Sequence, residues 1–179
     1  MHFFIFGVMS PTGSSYSQGR TSPEKALQKL KHFCGYQERS HAEVKQKLYS
    51  LGLYKQEVED LISRLIEEEY LNEERYAIQF ASGKSRIKGW GKVKIRYELK
   101  QNGVSDFCIA KALKRLDEKE YATGFQRIAY KKWLALRSEK NIFTKKNKWQ
   151  QFLLQRGFDH ATIKTWTPPE ENDAGTAAD

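Results

Sequence analysis

Three glycines constrain this chain more than any other feature. Gly52, Gly103 and Gly157 stand 51 and 54 residues apart, and the apolar positions around them recur at shared offsets. Four residues before each glycine is a leucine (Leu48, Leu99, Leu153), and eight before is Val44, Ile95 or Trp149. One residue after comes Leu53, Val104 or Phe158, and six after comes Val58, Ile109 or Ile163. Spacings of four and eight place side chains on one helix face, and a glycine closing such a stripe suits the left-handed position at a helix end. Two apolar helices joined by a glycine turn therefore occur three times. Glycine turns between helices are common, but five shared offsets argue against coincidence.

Each pair is preceded by another helical stretch. These are 23–38, with Ala26, Leu27, Leu30 and Phe33 in a stripe; 73–88, with Tyr76, Phe80 and Ile87 as a buried face; and 120–137, with Tyr121, Phe125, Ile128, Trp133 and Leu136. The expected fold is all-α: three tandem three-helix repeats over 22–71, 72–117 and 118–167, forming an elongated, curved array. A unit of this size hides its apolar face only by stacking on a neighbour. Local punctuation agrees. Ser22 followed by Pro23, Ser40 with Glu43 three residues on, and Asn72 followed by Glu73 and Glu74 all read as helix starts. The helix near 55–69 carries Val58, Leu61, Ile62, Leu65 and Ile66 on one face, yet begins at Tyr54, where Ser or Asp is expected. Gly89 and Gly91 break a helix around Trp90.

Residues 1–21 read as a disordered leader, with Met9 as an alternative start, and 168–179 as a disordered tail. The opening apolar run lacks the basic flank and small-residue cleavage site of a secretion signal. No apolar run approaches the roughly 20 residues of a membrane-spanning helix. Cys34 and Cys108 have no disulfide or zinc spacing, which suits reduced thiols in the cytoplasm.

A formal net charge of +9 and a pI near 9.4 point to polyanions or acidic protein surfaces. The charge is uneven. From Glu57 to Glu74 eight carboxylates oppose Arg64, a balance of −7; from Lys84 to Lys100 seven cations oppose Glu98, a balance of +6. The candidate contact residues for a polyanion are Lys84, Arg86, Lys88, Lys92, Lys94, Arg96 and Lys100, then Lys131, Lys132, Lys145, Lys146, Lys148 and Arg156. Lys92, Arg96 and Lys100 stand four apart, one stripe on a helix. The alternative is a solvated face. Phosphate contact by such groups is sequence-independent and sensitive to salt. Trp90, Tyr97 and Trp133 lie among them as core residues or, alternatively, as stacking platforms for bases.

Catalytic signatures are missing. The four histidines have no metal-ligand spacing, and no glycine-rich phosphate loop occurs. The glutamates at 67–69, 73 and 74 point in different directions on a helix, as a solvated face does and a two-metal site does not. No enzyme and no cofactor is expected.

Tyr70-Leu71-Asn72-Glu73-Glu74-Arg75-Tyr76-Ala77, followed by Gly89-Trp90-Gly91 and the stretch Ile95 to Gly103, resembles the central signature of the RecX family, regulators of the RecA recombinase. Arg39-Ser40 to Gly52 is similar to that family's first repeat. Trp149 to Trp166, with Phe152-Leu153-Leu154-Gln155-Arg156-Gly157-Phe158, is similar to its third. The likeness spans residues 24 to 166 and departs at Tyr54, at Asn72-Glu73 and in the tails. It implies an all-helical, monomeric, cytoplasmic modulator that lies in the groove of the RecA filament on single-stranded DNA. Such a modulator restrains strand exchange, ATP hydrolysis and coprotease activity, and with them DNA repair and the SOS response. A stand-alone nucleic-acid binder without a recombinase partner is the alternative, and a helical scaffold for an unrelated protein a further one.

Overall fold

The computed structural model describes residues 20–168. The expected leader and tail lie, but for Arg20, Thr21 and Pro168, outside those residues. Nine helices and no strand occur among the described residues: α1 (Pro23–Tyr36), α2 (His41–Ser50), α3 (Lys55–Glu67), α4 (Glu73–Lys88), α5 (Lys92–Gln101), α6 (Asp106–Lys114), α7 (Glu118–Ala135), α8 (Ile142–Gln155) and α9 (His160–Lys164). They form a helical repeat array in which each group of three has a long first helix and a glycine turn between the second and third.

Local chemistry sets the ends. Ser40 and Glu43 form a reciprocal capping box: the Glu43 amide donates to the serine hydroxyl at 3.1 Å, and the Ser40 amide to the Glu43 carboxylate at 2.8 Å. Asn72 caps α4 by accepting from the Arg75 amide at 2.9 Å. At α3 the Glu57 carboxylate reaches back to the Tyr54 amide at 2.9 Å, which supplies the cap that the tyrosine side chain does not. Gly52, Gly103 and Gly157 have φ of +81°, +75° and +84°, the left-handed turn that side-chain-bearing residues adopt only at a cost.

The core is divided. One cluster lies in α1–α3 and the connection that follows them, and includes Leu30, Val44, Leu48, Val58, Leu65 and Leu71. The other runs without a break through α4–α6 and α7–α9, from Tyr76 to Trp166. The reason is a backbone-to-backbone seam. The Gly91 amide donates to the Arg156 carbonyl at 2.8 Å, and the Val93 amide to the Gly157 carbonyl at 3.0 Å. A Cβ on Gly91 would stand 2.1 Å from the Gly157 oxygen, so this approach exists because the side chain is absent. In the last unit Trp133, Trp149 and Trp166 pack together with ring centroids 4.7 to 6.2 Å apart, and the Trp149 indole donates to the Ala129 carbonyl at 2.9 Å. The first seam is different. Among the described residues no backbone hydrogen bond crosses from α1–α3 to α4–α6, and the Arg75–Glu38 ion pair bridges them through side chains.

Two expected core positions are corrected. Ile87 is 81% exposed and Ile66 is 44% exposed. On α4 the buried face is Tyr76, Ala77 and Ala81, and just past its last turn it is Gly89 that packs, against Ile128 of α7. Ile66 sits in the last turn of α3, one residue past buried Leu65 and therefore about 100° around the helix from it. On α1 it is Cys34, not Phe33, that is fully buried with Leu27 and Leu30.

Candidate nucleic-acid interface

The seam between the second and third units shapes a cleft. Gly89, with φ +62°, turns the chain sharply away at the end of α4, and Ile128 of α7 fills the space a Cβ there would need. The Arg156 guanidinium, at the end of α8, donates to the Lys88 carbonyl at 2.6 Å and so satisfies one of the open carbonyls of α4. Between these three helices lies a cleft of about 540 Å³. It is lined by six basic residues, Arg86, Lys88, Arg127, Lys131, Lys132 and Arg156, with Ile87, Ile128 and Phe152 among them and no carboxylate.

Arg127 and Lys131 are one turn apart on α7, are exposed, and form no ion pair among the described residues. The Lys132 ammonium and the Arg156 guanidinium both lie over the Phe152 ring, at 4.9 and 5.1 Å from its centroid. Arg86 is tethered at the rim by Glu120 at 3.0 Å. Like charges gathered beside low-dielectric apolar walls concentrate positive potential, and this arrangement attracts anions.

The expected contact residues therefore separate into groups. Arg86, Lys88, Lys131, Lys132 and Arg156 come together in the cleft. The stripe of Lys92, Arg96 and Lys100 does not form one free basic surface. Lys92 is half-buried, pairs with Glu118 at 2.7 Å and lies over the Tyr121 ring; Lys100 pairs with Asp106 at 3.0 Å. Arg96 alone of the three is exposed without an ion pair among the described residues. Lys84 and Lys94 both lie over the Trp90 ring, at 5.1 and 4.7 Å, so this indole is already occupied by cations.

Lys145 must be withdrawn as a contact residue. It is buried, with its ammonium 4.4 Å from the Trp133 ring centroid, inside the tryptophan cluster. Lys148 pairs with Glu139 at 2.6 Å and lines a neighbouring groove shared with Lys132. Its ammonium and the Asn141 amide hold the Glu139 carboxyl below its usual range. Lys146 is exposed and stands apart from the cleft. Trp133 is core, and Tyr97 is 60% exposed.

Arg127, Ile128 and Phe152 also line the cleft and are not among the expected contact residues. The signal was present in part, since Arg127 and Lys131 are four apart on the face of α7 opposite Phe125 and Ala129. The acidic segment 57–74 is largely paired internally: Glu57 to Arg20, Glu68 to Lys31, Glu59 to Lys55 at 3.9 Å and Glu74 to Lys111 at 2.6 Å. Among the described residues no cluster of His, Cys, Asp and Glu could hold a metal ion, and no helix is long and apolar enough to cross a membrane.

Known proteins share both pattern and fold. The family described as RecX, second three-helix domain, matches residues 72–113, and RecX, third three-helix domain, matches 117–167. A regulatory protein RecX of Prosthecochloris aestuarii (strain DSM 271 / SK 413) is 31% identical over 140 residues, covering 78% of this chain and 89% of its own. That of Chlorobium phaeobacteroides (strain BS1) is 29% identical over 144 residues, covering 80% and 92%. The crystal structure of RecX from Lactobacillus salivarius superposes with a TM-score of 0.70 at 26% identity, covering 80% of this chain and 92% of that one. With its glycine-turn repeats, its continuous second core and these likenesses in hand, the chain belongs to the RecX family of regulatory proteins.

Proposed function

We propose that this protein binds the filament that the RecA recombinase forms on single-stranded DNA and restrains its strand exchange, ATP hydrolysis and coprotease activity. It acts as a cytoplasmic monomer, without catalysis of its own. The observation that carries this reading is the cleft at the seam of the second and third units. Six cations and no carboxylate line it, which suits the phosphates of a nucleic acid held in a nucleoprotein filament. The boundaries 22–71, 72–117 and 118–167 are the units through which the array follows the filament. Lys88, Arg127, Lys131, Lys132 and Arg156 make the phosphate contacts; Arg86 stays with Glu120 at the rim, and Arg96 and Lys146 add charge outside the cleft.

The test is ATP hydrolysis by RecA on single-stranded DNA, titrated with this protein below one copy per recombinase subunit. Inhibition at substoichiometric amounts is the expected result. No effect at saturation rejects the reading. Tight binding to DNA without recombinase, together with no effect on hydrolysis, favours a stand-alone nucleic-acid binder, for which the cleft is also suited.

A further inference from the structure

Helical spacing along α4 predicts that Ile87 is buried beside Tyr76 and Phe80, and the fold leaves it 81% exposed. Tyr76 is buried and Phe80 half-buried against Trp90, with the Lys84 ammonium over its ring, so Ile87 is the exposed end of the stripe. The stripe lines a groove. Tyr76, Phe80, Gly83 and Ile87 form the floor of a depression of about 340 Å³ at the seam of the first and second units. Glu38 and Glu43, from the corner between α1 and α2, wall one end, and Lys84 and Lys88 stand at the other.

Three details define what fits. From Tyr76 to Ile87 the floor runs about 16 Å at 1.5 Å per residue, the length of three helical turns. A Cβ on Gly83 would meet nothing within 4 Å, so the middle of the floor is a saddle between two larger side chains, open to close approach. At the acidic end one oxygen of the Glu38 carboxylate pairs with Arg75, while the other is buried with no hydrogen-bond partner. Ile87 and Lys88 also line the cationic cleft, so the two depressions are continuous along α4.

We propose that this groove is the protein-docking surface of the molecule, and that it takes an amphipathic helix of the protein partner, apolar side on Phe80 and Ile87. Its basic residues lie toward Glu38 and its acidic residues toward Lys88. This rests on the filament-binding function above. A ligand in which protein and phosphate lie side by side meets the groove and the cleft at once, which assigns the two components of a nucleoprotein filament to adjoining surfaces.

Two substitutions test it in the full chain. Gly83→Leu fills the saddle while favouring the α4 helix, so loss of binding cannot be laid to unfolding. Ile87→Ser removes a side chain that the fold itself hardly contacts. Affinity is measured for the RecA filament and, separately, for free single-stranded DNA, with thermal unfolding by circular dichroism. The expected result is a loss of filament affinity of about tenfold or more for each variant; for Gly83→Leu, whose position lies outside the cleft, free-DNA affinity holds within about twofold and Tm is not lowered.

Variants that bind the filament as the wild type does overturn the inference and leave the functional reading standing. Equal losses for filament and free DNA in Gly83→Leu place the groove in the nucleic-acid site and overturn it too. A wild-type dimer that Ile87→Ser dissociates makes a second copy the occupant, with the same consequence. A wild-type chain that does not bind the filament rejects the functional reading and this inference together.

Discussion

Removing cations from the cleft should change how binding depends on salt more than it changes the fold. The perturbation is the triple substitution of Arg127, Lys131 and Lys132 by Ala, all on α7. Arg127 and Lys131 are exposed, Lys132 is half-buried, and none of the three forms an ion pair among the described residues. Alanine favours the helix, so the variant stays folded. Arg86 is already paired with Glu120; if the other five cleft cations each neutralise one phosphate of single-stranded DNA, log K falls with log salt at a slope of about −3.5. The variant keeps two of those contacts, so its slope is about −1.4. Between 50 and 200 mM salt, the wild type then loses roughly 130-fold in affinity and the variant roughly 7-fold.

The control is the triple Ala variant of Lys92, Arg96 and Lys100. Two of those cations are already paired, with Glu118 and Asp106, so the slope should change by about one unit at most. Fluorescence anisotropy with a labelled single-stranded oligonucleotide over a salt series reads both. A larger change in the α5 variant than in the α7 variant would refute the assignment of phosphate contact to the cleft.

Two further outcomes follow from the geometry. Gly103→Ala, with open space around its Cβ, should lower stability by about 1 kcal/mol, the cost of a left-handed conformation alone. Gly157→Ala should lower it by more, since its Cβ would also stand 2.4 Å from the Lys94 amide nitrogen; urea unfolding of both variants measures the difference, and equal losses would show that the seam yields easily. The Asp159 carboxyl, which caps α9, is held below its usual range first by the Thr162 amide. A depressed native value contributes stability above the unfolded value and loses it as pH falls through the native one. The urea midpoint should therefore drop as the solution is taken below pH 3.8, and Asp159→Asn, which keeps a capping oxygen, should flatten that part of the profile.

The helices and their ends were readable from short stretches because what decides them is short-range. Ser40 finds Glu43 three residues on, Asn72 finds Arg75, and a glycine closes each second helix in the left-handed turn. None of these needs a distant partner. The three-unit architecture followed from the same signal repeated, since a stripe that recurs with its glycine must recur with its packing. The candidate site was legible only in part. Charge located it in the second and third units, and five of its six cleft cations were named, yet the sequence could not separate Arg156, whose guanidinium helps to close the cleft, from Lys145, which is buried over Trp133.

Amino-acid order alone determined where this chain is helical, where it turns, and that it carries excess positive charge toward its C-terminal half. Tertiary structure decided which cations remain free, because Glu118 and Asp106 neutralise Lys92 and Lys100. It decided also that the second and third units share one core while the first keeps its own, through the touching backbones of Gly91 and Gly157. It left Ile87 exposed on a helix whose periodicity says buried. The reason is common to all three: a helical period shows that a face is apolar or charged, but what covers or pairs that face comes from residues tens of positions away.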